Sequence, residues 1–139
     1  ACGNVVDHES HEMLAGIYDE KTQQVISTKE VLLKQMDQIR KLPDGNTTIG
    51  CIVTNVKLNK AQCTKLAGIC HDGYARSIQP VHTMSDGDTI FVLSTNEVEG
   101  MVDAVGVLAS EVTSMCIKRA ILKAESAYGL KAYSDLKNR

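Results

Sequence analysis

The sequence has 139 residues, of which 43% are hydrophobic and 23% charged, and its formal net charge is −2. These are the values of a globular domain long enough to bury a core, and no apolar run approaches the roughly 18 residues of a membrane span. The small negative charge gives no electrostatic basis for binding nucleic acid or an anionic membrane, so we expect neither partner.

The cysteines are odd in number and form no Cys-x-x-Cys pair: Cys2, Cys51, Cys63, Cys70 and Cys116. All but Cys2 fall in predicted strands or helices, where a thiol behaves as a small hydrophobic side chain. Reduced cysteines fit a cytoplasmic protein better than a disulfide-bonded secreted one, and no signal peptide opens the sequence. We therefore expect a cytoplasmic protein in which Cys51 belongs to the core.

Two short segments open the chain, Asn4–Val6 and Leu14–Tyr18, and they predict short strands joined by a turn. The polar stretch between them contains His8-Glu9-Ser10-His11, one residue short of the zinc motif His-Glu-x-x-His. We interpret this stretch as an exposed loop and predict no metal there.

A helix is predicted next, with Thr28 as its N-cap. Its residues recur at spacings of three and four: Val31, Leu32, Gln35, Met36 and Ile39. Pro43 and the pair Asp44-Gly45 end it, because both are strong helix breakers.

The run Thr47–Thr54 is rich in β-branched residues and almost free of charge, which predicts a buried central strand. Asn59 then caps a helix that runs to about Ile78. One face of this helix carries mostly small residues: Leu66, Ile69, Cys70, Gly73 and Ser77. A second apolar strand is predicted at Thr89–Ser94.

A polar turn, Thr95 to Gly100, leads into a long helix whose apolar stripe recurs at helical spacing: Val102, Val105, Ala109, Val112, Cys116 and Ala120. The tail from Tyr128 onward is polar, and we expect it to be frayed. The order of elements predicts a single α/β (α+β) domain over residues 1–139. Because two of its four predicted strands are weak, the sheet is expected to be incomplete without other chain segments.

The chemistry centres on Thr47, which follows a flexible turn and begins a strand. A threonine hydroxyl is a weak nucleophile, but cleavage of the preceding bond would free an α-amine on the same residue to act as its base. In the precursor, the hydroxyl would attack the carbonyl of Asn46 by an N-to-O shift, with Gly45 giving the turn backbone freedom. The alternative is an ordinary strand that starts with Thr-Thr after an Asp-Gly turn.

A second group of polar residues, Ser85-Asp86-Gly87-Asp88-Thr89, precedes the second apolar strand. If the two apolar strands are neighbours, Asp86 and Asp88 are placed to orient the α-amine or hydroxyl of Thr47, as a third group orients a base in catalytic triads. The alternatives are a solvated Asp-Gly turn and a calcium site, although the run lacks the further ligands of a calcium loop. His82 is a candidate pocket residue, whereas His71 and Asp72 are expected to make a structural hydrogen bond.

These motifs resemble the small subunit of the DmpA-like family, which contains self-processing L-aminopeptidase/D-esterases, β-peptidyl aminopeptidases and nylon-oligomer (6-aminohexanoate oligomer) hydrolases. The similarity covers nearly the whole chain. It is carried by the segments Asn46–Asn55, Leu58–Gln62, Ala67–Ile78, Pro80–Thr83 and Asp86–Phe91, together with Gly3–Asp7 near the end of the large subunit.

The resemblance implies a fold, a site and a substrate class. The fold is a four-layered α-β-β-α sandwich, similar to that of ornithine acetyltransferase. Thr47 matches the nucleophile, Asn46 the residue before the cut, and Asp86 and Asp88 the supporting pair. No cofactor is implied, the substrate is a short peptide or amide, and a homo-oligomer is expected.

This chain departs from the family in length, because family members are more than twice as long. Residues 1–46 are expected to be the end of a large subunit and 47–139 the small subunit, with the rest of the large subunit as a missing partner. The family's oxyanion-binding asparagine would precede Ala1, and Asn4 is a candidate substitute. The alternatives are a non-catalytic protein of the same fold and an acyltransferase related to ornithine acetyltransferase.

Overall fold

The computed structural model describes residues 1–36 and 46–137. The strands in these ranges are β1 (Asn4–Val6), β2 (Met13–Ala15), β3 (Ile17–Asp19), β4 (Gln24–Ile26), β5 (Ile49–Val56), β6 (Ile78–Gln79) and β7 (Thr89–Val98). The helices are α1 (Thr28–Lys34), α2 (Lys60–Ser77), α3 (Val102–Lys123) and α4 (Tyr133–Lys137). The predicted mixed α/β class is confirmed.

The centre of the molecule is a β-α-β unit in which β5 and β7 pair in parallel and α2 connects them. The register sets Ile49 opposite Thr89 and continues to Thr54 opposite Ser94. Because parallel strands begin at the same end of a sheet, the residues that precede β5 and β7 meet at one edge. The expectation that these two strands are neighbours is confirmed.

One face of the β5–β7 pair packs against the two long helices. The buried core on this side consists of Leu58, Leu66, Cys70, Tyr74, Ile90 and Ala109. Helix α2 begins where the sequence predicts, because Asn59 and Gln62 form a reciprocal capping box. This cap fixes the start of the helix whose far end carries part of the site described below.

Helices α2 and α3 meet through small residues. A Cβ added to Gly73 would lie 2.6 Å from the backbone oxygen of Ser110 and 2.7 Å from the Cβ of Thr113. Beside it, the Ser77 and Ser114 hydroxyls are 2.7 Å apart. The predicted apolar stripe of α3 is therefore partly wrong, since Val112, Cys116 and Ala120 are exposed and the small residues face α2. The close approach of the helices selects side-chain size over hydrophobicity.

Smaller elements complete the N-terminal part. Strand β1 pairs antiparallel with β2 and with β6, while β3 and β4 form a separate antiparallel pair. Helix α1 starts one residue earlier than predicted, because Ser27 is the N-cap and its side chain accepts the Glu30 N–H. Thr28 is instead the first helical residue and is buried. The helix ends at Lys34 with Gln35 as its C-cap, so the prediction that it continues through Gln35 and Met36 is wrong. The remainder of the predicted helix and its end, from Ile39 through Asp44-Gly45, lie outside the described residues.

Two predictions for the C-terminal third are wrong. Strand β7 continues to Val98 through the predicted polar turn, because the Val98 carbonyl accepts the Lys57 N–H and extends the pairing. The tail is held in place as well, since Tyr133 of α4 donates a 2.6 Å hydrogen bond to Glu12. The polar composition of the tail does not indicate fraying here, because the tail is attached to the rest of the chain through polar contacts.

The outer face of the β5–β7 pair is apolar and exposed. The solvent-exposed fraction of the residue is 69% for Ile49, 67% for Val53, 56% for Phe91 and 57% for Leu93. Cys51 lies among them and is exposed too, so the prediction that it belongs to the core is wrong for this chain, as is the prediction of a fully buried strand. Across residues 1–36 and 46–137, no helix combines the length and apolarity needed to cross a membrane.

Candidate active site

The bond between Asn46 and Thr47 lies directly before β5, against the loop that precedes β7. Asn46 and Asp86 form an isolated parallel bridge, and the Gly87 N–H donates to the Asn46 carbonyl oxygen at 3.0 Å. One step further on, the Thr89 N–H donates to the Thr48 carbonyl at 2.9 Å. The pairing of β5 with β7 thus continues past the strand ends and fixes the backbone on both sides of this bond.

Gly87 contacts the bond in two ways. Its N–H polarises the Asn46 carbonyl, which is the group that would carry negative charge if a nucleophile attacked it. Its Cα lies against the Thr47 side chain, because a Cβ at this position would be 2.8 Å from Thr47 Oγ1. Glycine therefore leaves room for the hydroxyl while holding the carbonyl.

The carboxylate of Asp88 anchors the start of β5. Its side chain is only 1% exposed, and Oδ1 accepts the Thr48 N–H at 2.9 Å and a hydrogen bond from the Ala1 nitrogen at 2.6 Å. Burial raises the pKa of this carboxyl, while the hydrogen bond from the Thr48 N–H and the nearby His82 act to lower the pKa. Asp88 therefore fixes the peptide that follows Thr47.

Asp86 has a different set of partners. Its Oδ1 accepts the Cys2 N–H at 3.0 Å and its Oδ2 accepts the Thr83 N–H at 2.9 Å. These bonds tie the N-terminal strand region to the loop that carries Gly87. Asp86 thus stabilises the loop and pairs through its backbone with Asn46, whereas Asp88 stabilises the start of the strand at Thr48.

Two histidines extend the site away from Thr47. His82 Nδ1 lies 3.0 Å from Asp88 Oδ2. The other ring nitrogen of His82, Nε2, lies 3.1 Å from Nδ1 of His71. The sequence suggested His82 as a pocket residue, but it did not connect His71 with the site. Helical spacing could have connected His71 with the site, because residues three apart share a side of a helix and the buried Tyr74 lies three residues after His71 on α2.

Asn4, the candidate oxyanion residue, is 2% exposed and has partners elsewhere. Its amide nitrogen donates to the Ile26 carbonyl at 2.8 Å, and its amide oxygen accepts the Thr28 N–H at 2.6 Å. These bonds join β1 to β4 and to the start of α1. The described contacts of Asn4 are therefore structural, and they do not include Thr47.

The His8-to-His11 loop is also separate from the site. His8 Nδ1 lies 3.1 Å from the Ser114 hydroxyl, and His11 is exposed. Within the described ranges, 1–36 and 46–137, no three histidine, cysteine or acidic side chains are arranged to hold a metal ion.

Comparison with known proteins gives the same family as the motifs. The model of peptidase family S58 matches residues 5–134. An uncharacterised aminopeptidase of Mycobacterium leprae is 37% identical over 66% of this chain and 29% of its own length. A 6-aminohexanoate-oligomer endohydrolase of Paenarthrobacter ureafaciens is 35% identical over 70% of this chain and 28% of its own length.

A third relative, described as a putative NylC-analogous protein of Agromyces, is 35% identical over 70% of this chain and 32% of its own length. The chain thus spans less than a third of the length of these relatives. The family match, in contrast, runs through nearly the entire sequence and includes Thr47, Asp86 and Asp88. The chain therefore belongs to peptidase family S58, the DmpA-like family.

Proposed function

We propose that the full-length protein is a self-processing amide hydrolase whose N-terminal nucleophile is Thr47. The observation that carries this proposal is the geometry around the Asn46–Thr47 bond. A hydroxyl, a polarised carbonyl and a glycine with no side chain to obstruct them lie together at the edge of the β5–β7 pair. The membership in a peptidase family supports the same reading.

Self-processing follows from these groups in two steps. Thr47 Oγ1 attacks the carbonyl carbon of Asn46, and the negative charge that develops on the carbonyl oxygen is stabilised by the Gly87 N–H. The carbon–nitrogen bond breaks, the freed nitrogen takes the hydroxyl proton, and an ester remains. Water then hydrolyses the ester, which leaves a carboxylate on Asn46 and a free α-amine on Thr47.

The same threonine then serves in turnover. Its α-amine, with an ordinary pKa of about 7.7–8.0, accepts the hydroxyl proton as Oγ1 attacks a substrate amide. The leaving amine takes that proton, an acyl-enzyme ester forms, and water releases the acid. We propose a short peptide or an amide oligomer as the substrate, since the relatives are named as aminopeptidases and 6-aminohexanoate-oligomer endohydrolases. Asp86 and Asp88 hold the backbone of the site during both reactions.

The test is turnover by the full-length protein. Peptides with a free amino terminus and 6-aminohexanoate oligomers should be hydrolysed, and the products should be the free acid and amine. Adding a second amine in excess separates the alternatives, because an acyltransferase would form a new amide while a hydrolase would still release mainly acid. No turnover of either substrate class by the processed protein would contradict the proposal.

The exposed face of the β5–β7 pair supports a further part of the proposal, namely the partner. We infer that the rest of the polypeptide, the large-subunit segment, covers the side chains of Ile49, Val53, Phe91 and Leu93. A two-stranded sheet with one bare apolar face is marginal by itself, and the relatives are more than three times as long as the part they share with this chain. A homo-oligomer of the full-length protein and a cytoplasmic location are also proposed.

Cys51 makes this partner testable because it lies on the same face. In the native full-length protein, we expect Cys51 to resist alkylation as strongly as Cys70, which is 0% exposed. Peptide mapping by mass spectrometry after a short alkylation pulse measures both thiols at once. Rapid labelling of Cys51 while Cys70 stays protected would show that the face is open in the full-length protein.

A further inference from the structure

The site contains a chain of titratable groups, of which the two histidines have no part in the proposed chemistry. It starts at the Asp88 carboxylate, passes through His82 and ends at His71 on α2. His82 Nδ1 lies 3.0 Å from Asp88 Oδ2 as a charge contact without hydrogen-bond alignment, whereas His71 Nδ1 and His82 Nε2 are hydrogen-bonded at 3.1 Å. The two imidazole rings have centroids 4.7 Å apart and are inclined by 69°.

The contacts determine which nitrogens carry protons when both rings are neutral. A neutral His82 that faces a carboxylate with Nδ1 carries its proton there, so its Nε2 is an acceptor. His71 must then donate from Nδ1, which leaves its Nε2 without a proton. The neutral chain therefore has a direction, with a base at the His71 end and a carboxylate at the Asp88 end.

The surroundings of the chain are buried on one side. Tyr74 is 2% exposed, its ring centroid lies 5.4 Å from that of His71, and its hydroxyl has no hydrogen-bond partner among the described residues. The Tyr74 hydroxyl also reaches the start of β5, since a Cβ on Gly50 would be 2.7 Å from it. The chain thus reaches from these buried groups to the surface, because the His82 side chain is 39% exposed.

We propose that His71 and His82 form a proton relay that positions and charge-balances Asp88 beneath the Thr47–Thr48 peptide. A proton from solvent binds His71 Nε2, the Nδ1 proton of His71 passes to His82 Nε2, and the positive charge comes to rest on His82 beside Asp88. No other atom moves, and the net change is one added proton. This inference rests on the proposed function, since the peptide that Asp88 holds belongs to the nucleophile.

The relay has a defined electrostatic setting. The charged and titratable groups that face it are Asp88 from the loop before β7 and Asp72 and Tyr74 from α2. Burial, together with His82, lowers the pKa of His71, while Asp88 and Asp72 oppose this shift. The ring of His71 is therefore neutral at pH 7, as the direction of the relay requires.

The kinetic test uses the full-length protein with His82→Gln, which keeps a hydrogen-bonding group but cannot be protonated. We expect the acid limb of the pH profile of kcat/KM to lose one ionisation. His82→Ala, which removes the contact with Asp88, should lower kcat by about 10²-fold, the cost of misplacing a reacting group by about 1 Å, with KM little changed. His11→Gln, in an exposed loop, is the matched control and should leave the profile unchanged.

A purely structural role for His82 would overturn the proposal, and it would appear as a lower rate with an unchanged pH profile. The tautomers are tested independently of activity, by ¹⁵N NMR of the full-length Thr47→Ala variant. Both His71 and His82 should carry their proton on Nδ1 at pH 7.5, and protonation of Nε2 on either ring would contradict the relay. If the wild-type protein lacks activity while these tautomers are found, the proposed function fails and the relay stands.

Discussion

Replacing Thr47 with alanine in the full-length protein should leave a single uncut polypeptide with no amide hydrolase activity. Alanine has no hydroxyl, so neither the attack on the Asn46 carbonyl nor the later attack on substrate has a nucleophile. A denaturing gel measures the first effect and product release measures the second. Both losses are expected to be complete, because the same atom performs both reactions.

Thr47→Ser is the matched control for this prediction. Serine keeps the hydroxyl and can still present an α-amine after cleavage, so two pieces and measurable turnover are expected. Two pieces on the gel with Thr47→Ala would contradict the account, because cleavage would then not depend on this side chain.

Gly87→Ala should slow self-cleavage by about 10²-fold while the fold is retained. The added Cβ would lie 2.8 Å from Thr47 Oγ1, and the hydroxyl is the group that can move away by rotation of its side chain. That movement misplaces the nucleophile at little cost to stability. The measurement is the rate at which the uncut chain disappears after synthesis, followed on a denaturing gel.

Gly68→Ala is the matched control, since a Cβ there meets no atom within 4 Å. In the middle of α2 it should leave the cleavage rate unchanged and raise the free energy of unfolding by about 0.5–1 kcal/mol, the usual gain of alanine over glycine in a helix. Normal cleavage with Gly87→Ala would show that the hydroxyl is not held where the structure places it.

Sequence patterns predicted the central elements because their signals are local. The capping residue Asn59 sets the start of α2, and β-branched runs mark β5 and β7. The outer limits of these elements were harder to predict, because they depend on tertiary contacts. Strand β7 continues to Val98 only because the chain after β5 lies alongside it.

The buried face of α3 shows why periodicity alone can mislead. Val102, Val105 and Ala109 of the predicted stripe do pack against the core. Farther along the helix Val112, Cys116 and Ala120 are exposed, and Ser110, Thr113 and Ser114 are buried instead. Small residues are required there because α2 and α3 approach closely, and that distance cannot be read from the sequence pattern of one helix alone. The tail was misjudged for a related reason, because the Tyr133–Glu12 bond joins residues at opposite ends of the chain.

The site was predictable in outline from Thr47, Asp86 and Asp88, because parallel neighbouring strands bring their preceding loops together. Its detail was not. The backbone N–H of Gly87 carries no side-chain signal, and the contact of His71 with His82 depends on how the chain turns back after α2. The two aspartates also look alike in sequence, although Asp86 binds the loop and Asp88 binds the strand.

The exposed apolar face of the β5–β7 pair makes residues 1–139 by themselves prone to association. Ile49, Val53, Phe91 and Leu93 would be in contact with water in this chain alone, and such a patch promotes association. Activity measured on residues 1–139 by themselves would therefore not report the chemistry of the complete site. The full-length polypeptide is the proper object for each of the tests above.

The central claim is that the Asn46–Thr47 bond is cut by the protein itself, and the N-terminal sequence of the purified full-length protein tests it most directly. After denaturation and separation of the pieces, one of them should begin Thr-Thr-Ile-Gly, starting at Thr47. Intact mass measured on the same sample should equal that piece without further processing at its N-terminus. A single uncut chain, or a piece that begins at any other residue, would contradict the account.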